Sequence, residues 1–557
     1  MRTLNYLFGI VVILMFARCH KQELGSPAEK QALAKAMNAL TITSYPSYNT
    51  SPLPPDQSGV ASTAAQLAAK IRLGLNIGNT LEAIGGETAW GNPLVTQAYV
   101  DLAKKSGFNA IRIPCAWDQY MANSNTAELQ QVWLDRVKQV IQYCINKDMY
   151  VILNIHWDGG WLENNCTPAQ QAAVNAKQKA FWEQIATHMR GFDEHLIFAS
   201  ANEPSVEDAT QMSVLLSYHQ TFINAVRSTG GRNSYRVLVV QGPSTDIDKT
   251  NSLMNTLPTD QVTNRLMVEV HYYTPFQFCL MSSDQSWGNM FYYWGSGYHS
   301  TTDPSRNSTW GEEADLSAYF QSMKTKFVDQ GIPVVLGEYG AYTRSSLTGD
   351  ALTLNQVSRA YFLNQVTRQA LSRGILPFYW DTGAILNRQT NTVGDQQGLA
   401  ALVQGEQNGT SPGIQVGSIY QIMNRNSFKA LEFAGWGTAN HTLADQWEYL
   451  AGANQQFKVE DAGSGYYRLT PMHASGKCLE IDSWSIANGG QADLWDYSGG
   501  NNQKWSIQAT DNGYYKLINV NSGKALEISG YSLNNGGSAN QWDYYGGRNQ
   551  QWAFLKM

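Results

Sequence analysis

Eight short runs of apolar, mostly β-branched residues recur between residues 71 and 379, and stretches with helical spacing separate them. In the stretch 132–145, for example, Val132, Leu134, Val137, Ile141 and Cys144 or Ile145 fall near one helix face. The runs are Ile71–Ile77, Ala110–Pro114, Tyr150–Ile155, Leu196–Ala199, Val237–Val240, Met267–Val270, Pro333–Leu336 and Ile375–Tyr379. Eight strands that alternate with helices predict an α/β fold, the (β/α)8 or TIM barrel. An open doubly wound sheet is the alternative, but no GxGxxG or GxxxxGK[ST] motif follows any run.

The last 140 or so residues repeat one pattern three times, at an offset of 47 or 48 residues. Gly465-Tyr-Tyr-Arg-Leu recurs as Gly513-Tyr-Tyr-Lys-Leu, and Asn502-Gln-Lys-Trp recurs as Asn549-Gln-Gln-Trp. A fainter first copy ends in Asn454-Gln-Gln-Phe. Units of this length cannot bury a core alone, so three copies predict an all-β β-trefoil after the barrel.

The first 19 residues have the form of an export signal, with Arg2 before the apolar run Leu7–Phe16. That run is too short to span a bilayer in a mature protein. Cys19 follows it, as in a bacterial lipoprotein signal whose cysteine is lipidated after cleavage; otherwise Cys19 is a bystander in a plain signal peptide. We therefore expect an exported protein, held at the bacterial cell surface or in the periplasm as a lipoprotein, or else secreted.

Composition limits the partners of the chain. The net charge is −6, and no Lys/Arg-rich run occurs, which argues against nucleic acid or an anionic membrane surface as a partner. A membrane enters only through a lipid anchor at Cys19, and we expect a monomer. The remaining cysteines form no CxxC pair and are expected to be buried thiols: Cys115, Cys144, Cys166, Cys279 and Cys478.

The predicted domain boundaries follow from these features. They are a signal at 1–19, a Pro/Ser/Thr-rich tether at 20–61 with a short helix at 29–40, the barrel at 62–405, a linker at 406–416 and the trefoil at 417–557.

Polar and aromatic residues stand at the carboxyl ends of the barrel runs, which face the active site in this fold. They are Asn76, Asn79, Arg112, His156, Asn202, Glu203, His271, Tyr273, Glu338 and Trp380. A pair of carboxylates predicts glycoside cleavage, with one protonated donor and one ionised nucleophile about 5–5.5 Å apart. The pKa of the acid must then be raised by the neighbouring anion, and that of the nucleophile lowered by cations such as Arg112 and His271.

A metal-dependent hydrolase is the main chemical alternative, because His156, His271 and the glutamates are possible ligands. The first run, however, ends in Asn76-Ile-Gly-Asn79, which is poor in ligands. We therefore expect no metal and no other cofactor.

Two motifs make a family resemblance specific. Asn202-Glu203-Pro204 follows the fourth run and Gly337-Glu338-Tyr339-Gly340 the seventh, and together they resemble glycoside hydrolase family 5, the retaining cellulase family of clan A. The resemblance covers about residues 65–405. The supporting blocks are Leu75–Glu82, Glu87–Pro93, Gly107–Pro114 and Val270–Pro275. The block Glu87–Pro93 resembles a subgroup rich in endo-β-1,4-glucanases, xyloglucanases and lichenases.

The resemblance implies a role for each residue. Glu203 would be the general acid/base and Glu338 the nucleophile, while Asn202 would bind the sugar 2-hydroxyl. His271 and Tyr273 would orient Glu203 and Glu338, respectively. Arg112 and His156 would act around the nucleophile, and Trp380 would be the stacking floor. Asn76 completes the predicted substrate-binding set. Many relatives have a second histidine where Trp157 stands, which leaves the neighbouring subsite and the exact glycan open.

The C-terminal repeats resemble ricin-type β-trefoil lectin modules, also called family 13 carbohydrate-binding modules. That resemblance implies one sugar pocket for each copy, built from an acid, an amide and a stacking aromatic ring. The residues are Glu480, Asp493, Trp495, Asn502 and Gln503 in the second copy, Glu527, Asn540, Trp542, Asn549 and Gln550 in the third, and Glu432, Asp445, Trp447, Asn454 and Gln455 in the first.

The sequence as a whole predicts a retaining endo-β-1,4-glucanase. Its expected substrates are cellulose-like chains, mixed-linkage β-glucan and xyloglucan. An endo-β-1,4-mannanase on the same barrel is one alternative. A non-catalytic carbohydrate-binding protein is another, although it would be expected to lack one of the two glutamates. The aromatic residues between 287 and 298 either line outer sugar subsites or pack a long loop.

Overall fold

The computed structural model describes residues 42–410, 414–510 and 513–557. The predicted signal, Cys19 and the predicted helix at 29–40 lie outside these residues. The chain divides into two compact units. Of the described residues, the first holds those from 42 to 290 together with 314–342 and 373–394, and the second holds 291–313, 343–372, 395–410, 414–510 and 513–557.

The first unit contains a closed barrel of eight parallel strands, which confirms the predicted TIM barrel. Each strand pairs with the next in chain order, and the eighth pairs with the first. The strands are β1 Gly74–Ile77, β2 Ala110–Ile113, β3 Tyr150–Asn154, β4 Leu196–Ala199, β5 Leu238–Gln241, β6 Leu266–Tyr272, β7 Val334–Tyr339 and β8 Ile375–Asp381. All eight are buried almost throughout, which explains why they appear in the sequence as continuous apolar runs.

Helices occupy the stretches between the strands. They are α1 Ala64–Ala68, α2 Gln97–Lys105, α3 Gln131–Ile145, α4 Gln171–Met189, α5 Ala209–Ser228, α6 Ile247–Leu253, α7 Phe276–Cys279, α8 Glu313–Lys326, α9 Gly349–Leu371 and α10 Gln396–Thr410. The predicted face of α3 needs one correction, because Val132 is 71% exposed. The buried stripe runs through Trp133 and Leu134 instead, since the Trp133 indole donates a hydrogen bond to the Ala116 carbonyl at 2.9 Å.

The described end of the predicted tether is bonded to the barrel unit. The amide of Tyr48 donates to Glu183 at 2.8 Å, and the strand Leu53–Pro55 pairs in parallel with Gly230–Gly231. These residues are therefore not a free tether. Composition misled the prediction, because a Pro-rich segment can still pair through the amides that it retains.

The predicted linker also differs from the structure. Helix α10 continues to Thr410, so residues 406–410 are helical, and residues 411–413 lie outside the described residues. The last residues of this helix were predicted as linker because their composition does not distinguish a short helical end from a linker.

The second unit contains twelve strands in three sets of four, as a β-trefoil requires. They are β9 Ile419–Asn424, β10 Ala430–Phe433, β11 Thr442–Trp447, β12 Gln456–Asp461, β13 Tyr467–Pro471, β14 Lys477–Ile481, β15 Gly490–Asp496, β16 Trp505–Ala509, β17 Tyr515–Asn519, β18 Ala525–Ile528, β19 Gly537–Trp542 and β20 Trp552–Lys556. Six of them close a barrel in which β20 pairs with β9, and three hairpins cap it through pairings among β11, β15 and β19. This confirms the predicted trefoil.

The aromatic residues of the long loop between β6 and α8 pack against helix α9. The rings of Trp294 and Phe362 lie 5.1 Å apart, and those of Tyr298 and Tyr361 lie 4.7 Å apart. Phe291, Tyr293, Trp294 and Tyr298 are buried, and the Trp294 indole donates to the Gly311 carbonyl at 2.8 Å. Trp287 alone among the large apolar side chains of this stretch is exposed. Packing therefore accounts for most of the aromatic residues at 287–298.

Two further findings concern the described residues. The five cysteines among them are buried free thiols, as predicted. No helix in these ranges has the length and apolar character needed to cross a bilayer.

Candidate active site

A bulge in the barrel brings Glu338 opposite His271. Val270 of β6 pairs with Leu336 of β7, but the next residue, His271, pairs with Glu338, so Gly337 is skipped. A Cβ atom at Gly337 would lie 2.0 Å from Glu269 Oε1, so only glycine fits this position. The bulge thus aims the Glu338 carboxylate at the carboxyl end of the barrel.

Both oxygens of the Glu338 carboxylate accept hydrogen bonds. Arg112 Nη1 lies 2.9 Å from Oε1, and the Tyr273 hydroxyl donates to Oε2 at 2.9 Å. This is the pattern of an ionised carboxylate. Burial nevertheless raises the pKa of Glu338 above its ordinary value, against the opposing charges of His271 and Arg112. The expectation that the cations would leave this pKa lowered is therefore wrong, because desolvation is the larger effect.

Glu203 lies just beyond β4 and is the more open of the two glutamates. Its side chain is 30% exposed, against 7% for Glu338. His271 Nδ1 lies 2.7 Å from Glu203 Oε1 and 3.8 Å from Glu338 Oε2. One oxygen of each glutamate and one His271 nitrogen lie within 4.8 Å of one another, which is the close spacing of retaining enzymes rather than the wider one of inverting enzymes.

His271 is a charged centre between three carboxylates. Burial alone would lower its pKa, but the charge of Glu338 and the hydrogen bonds to Glu203 and Glu269 raise it to about 10. The imidazolium therefore donates to Glu203 and to Glu269 at neutral pH. A metal ion at Glu203, His271 and Glu338, whose donor atoms are close enough to bind one, would have to displace that proton.

Arg112 and Asn76 were predicted to bind substrate, but both side chains are wholly enclosed. Arg112 Nη1 donates to Asn76 Oδ1 at 3.0 Å and Nη2 to Asn202 Oδ1 at 2.8 Å. Asn76 Nδ2 donates to the Gly337 carbonyl at 2.8 Å. These two residues position Asn202 and Glu338 instead of touching sugar, because the packed interior of the barrel covers them.

His156 and Trp380 stack on each other at the rim. Their ring centroids are 5.6 Å apart and the planes differ by 10°. A Cβ atom at Gly78 would lie 2.7 Å from the Trp380 indole, so glycine makes room for that ring. Trp380 is partly exposed, as a stacking floor requires, and so is Tyr273. His156 therefore contacts the ring that was predicted to be the stacking floor.

Sequence reasoning missed two carboxylates in this site. Glu269 is fully buried, forms an ion pair with Arg112 at 2.9 Å and accepts from Gln241 at 2.7 Å. Its position two residues before His271 was a usable signal, because alternate strand residues share a face. Glu163 accepts the Glu203 backbone amide at 2.7 Å, and burial with the nearby Glu203 charge raises its pKa to about 7. Glu163 lies in a loop, so no periodicity marked it.

A cavity of about 220 Å³ adjoins the Glu203 side of the site. Its polar lining is formed by Glu203, Ser205, Glu207, Ser244, Asp246, Asp248, Lys249, His271 and Tyr273, with Tyr319 beside them. This space, on the Glu203 side of the site, is suited to a sugar chain with many hydroxyl groups.

The predicted trefoil pockets share one arrangement. The first acid of each copy accepts from the glutamine: Gln455 to Glu432 at 2.6 Å, Gln503 to Glu480 at 2.6 Å and Gln550 to Glu527 at 3.1 Å. The second residue stands across the strand pair from that acid, at Asp445, Asp493 and Asn540. Asn454, Asn502 and Asn549 are buried beside them.

The three pockets differ in how open they are. In the third, the Tyr545 hydroxyl bonds Glu527 at 3.3 Å and Asn549 at 3.1 Å, so a side chain fills the space. Trp447 and Trp542 are exposed, whereas Trp495 is half-covered. The second pocket has a cavity of about 260 Å³ that Glu480, Trp484, Trp495, Asn502 and Gln503 help to line.

Comparisons with known proteins agree with both units. The family model "Cellulase (glycosyl hydrolase family 5)" matches residues 76–384, and the model "Ricin-type beta-trefoil lectin domain-like" matches 411–495 and 501–557. A xyloglucan-specific endo-beta-1,4-glucanase of Bacteroides ovatus is 34% identical over 385 residues, which are 66% of this chain and 74% of that protein. Endoglucanase A of Paenibacillus barcinonensis is 36% identical over 378 residues, 62% of this chain and 90% of that protein. The structure of a Bacteroides ovatus family 5 xyloglucanase with a XXXG heptasaccharide superposes with a TM-score of 0.61 at 34% identity, covering 65% of this chain and 80% of that one.

Proposed function

The chain belongs to glycosyl hydrolase family 5, and from that premise we propose that it hydrolyses internal β-1,4 bonds of glucans with retention of configuration. The observation that carries the proposal is the pair Glu203 and Glu338, held within 4.8 Å of each other around His271. That spacing leaves no room for a water molecule between the carboxylate and the anomeric carbon.

In the first step Glu338 attacks the anomeric carbon, and Glu203 hands its proton to the departing glycosidic oxygen. The donors Arg112 and Tyr273 aim the Glu338 oxygens and hold them ionised. The cavity beside Glu203 receives the departing chain. In the second step Glu203 takes a proton from water, which attacks the glycosyl–enzyme ester and releases the second product. Asn202 bonds the sugar 2-hydroxyl in this proposal, which its hydrogen bond from Arg112 supports because that bond holds the amide in one orientation.

The test compares wild type with Glu203→Gln and Glu338→Gln on soluble cellulose, barley β-glucan, xyloglucan and glucomannan. We expect both variants to lose at least about a thousandfold in kcat. An activated aryl glycoside needs no proton donor, so Glu203→Gln should still release its aglycone in a burst while Glu338→Gln should not. Glu128→Gln, which changes an exposed glutamate in the short strand Glu128–Leu129 away from this site, is the control. Wild-type rates in both glutamine variants would refute the assignment, and preference for glucomannan would favour the mannanase alternative.

Branched xyloglucan is the substrate that we propose within this class. The Bacteroides ovatus relative is named for it, and Trp157 in this chain is partly exposed beside His156. A higher kcat/KM on xyloglucan than on unbranched β-glucan is the expected result. Trp157→His, the residue of many relatives, should change that ratio and leave the rate on a short aryl glycoside unaltered.

The trefoil is proposed to bind sugar through the pockets of its copies. The exposed Trp447 ring, the open cavity of the second pocket and the paired acid and amide groups of these two copies support this. Retention of the full chain in gels that contain each polysaccharide tests it. Migration that no glycan alters would show that the trefoil does not hold these polymers.

Export as a lipoprotein is proposed from the pattern Arg2, Leu7–Phe16 and Cys19. Labelled fatty acid should enter the wild-type chain and not Cys19→Ala. Incorporation into both would place any acyl group elsewhere, and incorporation into neither would favour a plain signal peptide.

A further inference from the structure

The repeats of the trefoil supply an internal control, because equivalent positions lie 47 or 48 residues apart. The position held by His441 in the first copy is Gly489 in the second and Gly536 in the third. Both glycines have left-handed backbones, with φ of 82° and 77°. His441 has φ of 67°, a conformation that side chains with a Cβ atom rarely adopt. A histidine kept where the fold favours glycine indicates a use for its side chain.

A second departure from the repeat lies beside the first. Asp482 stands where the other copies have Ala434 and Ser529. His441 Nδ1 lies 3.4 Å from Asp482 Oδ1 and 3.1 Å from Asp493 Oδ2. Two independent departures thus converge on Asp493.

Asp493 itself is incompletely bonded. Its side chain is 1% exposed, and its other oxygen, Oδ1, has no hydrogen-bond partner among the described residues. The equivalent oxygens of Asp445 and Asn540 also lack a partner, so the open oxygen belongs to the repeat. Among the described residues of the trefoil, however, only Asp493 forms a cluster of possible metal ligands with a histidine and a second carboxylate.

The spacing of the three groups matches a metal site. Zn²⁺ binds imidazole nitrogen and carboxylate oxygen at about 2.0–2.2 Å, which separates neighbouring donors by roughly 3.3–3.5 Å in a tetrahedron. The three donor atoms lie within 4.8 Å of one another, and two of the separations are 3.1 and 3.4 Å. The His441 ring also lies edge-on to Trp495 at 4.4 Å, which holds its orientation.

We propose that His441, Asp482 and Asp493 bind a divalent transition-metal cation of the zinc class. His441 is 59% exposed, and with Asp482 it borders the cavity of the second pocket. The fourth coordination position therefore faces solvent, as it does in open zinc sites with three protein ligands and a water molecule. The equivalent positions are Gly536, Ala434 and Asp445 at the first pocket and Gly489, Ser529 and Asn540 at the third, so two ligands are missing at the first and all three at the third. One such site per chain is therefore expected.

The full chain, freed of metal with a chelator, is titrated with Zn²⁺ by calorimetry and with Co²⁺ by visible absorption. Wild type should bind one equivalent with the Co²⁺ spectrum of a nitrogen- and oxygen-ligated ion. His441→Gly and Asp482→Ala introduce the residues that the repeat carries elsewhere, so the fold should be kept. Each should weaken binding at least tenfold. His473→Asn, which changes another trefoil histidine whose ring bonds the Gly437 carbonyl, should bind like wild type.

Thermal unfolding gives a second readout. Zn²⁺ should raise the Tm of wild type and leave that of His441→Gly unchanged, because only a folded state with the site gains from binding. Absence of saturable binding in wild type would overturn the proposal. Undiminished binding in His441→Gly would overturn it too, since the cation would then lie elsewhere, as at Glu203, His271 and Glu338. Neither result bears on hydrolysis.

Discussion

At the scale of the residue, Arg112 is the closest cation to the nucleophile. Burial raises the pKa of Glu338, and Arg112 and His271 oppose that rise. Arg112→Gln removes one opposing charge, so the pKa of Glu338 should rise further. Since Glu338 must be ionised to attack, the acidic limb of the kcat/KM profile should move to higher pH by about one unit or more.

The profile measured from pH 3 to 8 on a soluble glucan tests this effect of Arg112. Arg112→Lys keeps the charge and should shift the limb less, although it loses the hydrogen bonds to Asn76 and Asn202. An unmoved acidic limb in Arg112→Gln would mean that the guanidinium has no electrostatic influence on the nucleophile.

The pKa of His271 also makes the stability of the barrel depend on pH. Its value of about 10 in the folded chain exceeds the usual unfolded value of about 6.5. A raised pKa stabilises the fold fully below about pH 6.5, and the stabilisation is lost as the pH rises through about 10. His271→Asn should therefore lower the free energy of unfolding by on the order of a few kcal/mol at pH 6 and by much less near pH 10.

Urea unfolding at several pH values measures this difference. His219→Asn is the matched control, since burial lowers the pKa of that histidine to about 4 and it is neutral over the whole range. A destabilisation by His271→Asn that stayed constant from pH 6 to 10 would contradict the charged state assigned to His271.

At the scale of the element, the bulge in β7 depends on one glycine. Gly337→Ala would put a methyl group 2.0 Å from Glu269 Oε1, so it should displace Glu269 or Glu338 and lower both kcat and Tm. Gly340→Ala changes the same segment, but the nearest atom to its Cβ is at 3.7 Å, an ordinary contact. Equal effects of the two substitutions on kcat would show that the bulge does not set the position of the nucleophile.

The elements themselves differ in how far the sequence predicts them. The barrel strands were predictable because burial on both faces makes each one a continuous apolar run. The helix α3 was predicted at the right place but with Val132 on the wrong side, since Trp133 has a hydrogen-bond partner in another segment. The end of helix α10 was predicted as linker because its last turns have no strong periodic pattern of apolar residues.

At the scale of the whole molecule, the weak sugar pockets of the first and second copies should act together on a polymer. Replacing Trp447 by Ala should weaken retention of the full chain in a polysaccharide gel about tenfold or more if two pockets work by avidity. The rate on a short soluble glycoside should stay at the wild-type value. Trp310→Ala, which removes an exposed tryptophan outside the repeats, is a comparison for general loss of surface.

Tyr545 allows a converse experiment. Tyr545→Ser introduces the residue of the second copy, Ser498, and removes the hydroxyl that occupies Glu527 and Asn549. We expect stronger gel retention, because a third pocket is opened. Weaker retention would mean that the Tyr545 ring contacts sugar directly.

The sequence by itself determined the class of both folds and the two glutamates. Strand runs and the 47- or 48-residue repeat are local patterns, and strand ends converge in any barrel, so Asn202-Glu203 and Gly337-Glu338 could be placed without coordinates. The roles of the site residues remain predictions to be tested by the variants above.

Only the tertiary structure decided which polar residues face solvent and which face each other. It placed Asn76 and Arg112 inside the barrel, set Glu269 and Glu163 around His271 and Glu203, and brought His441 to Asp482 and Asp493. These contacts join segments that lie far apart in the chain, and the burial of a residue depends on all the segments that pack around it. Except for the strand spacing of Glu269 and His271, neither property leaves a periodic trace in the sequence, which is why these contacts could not be predicted from it.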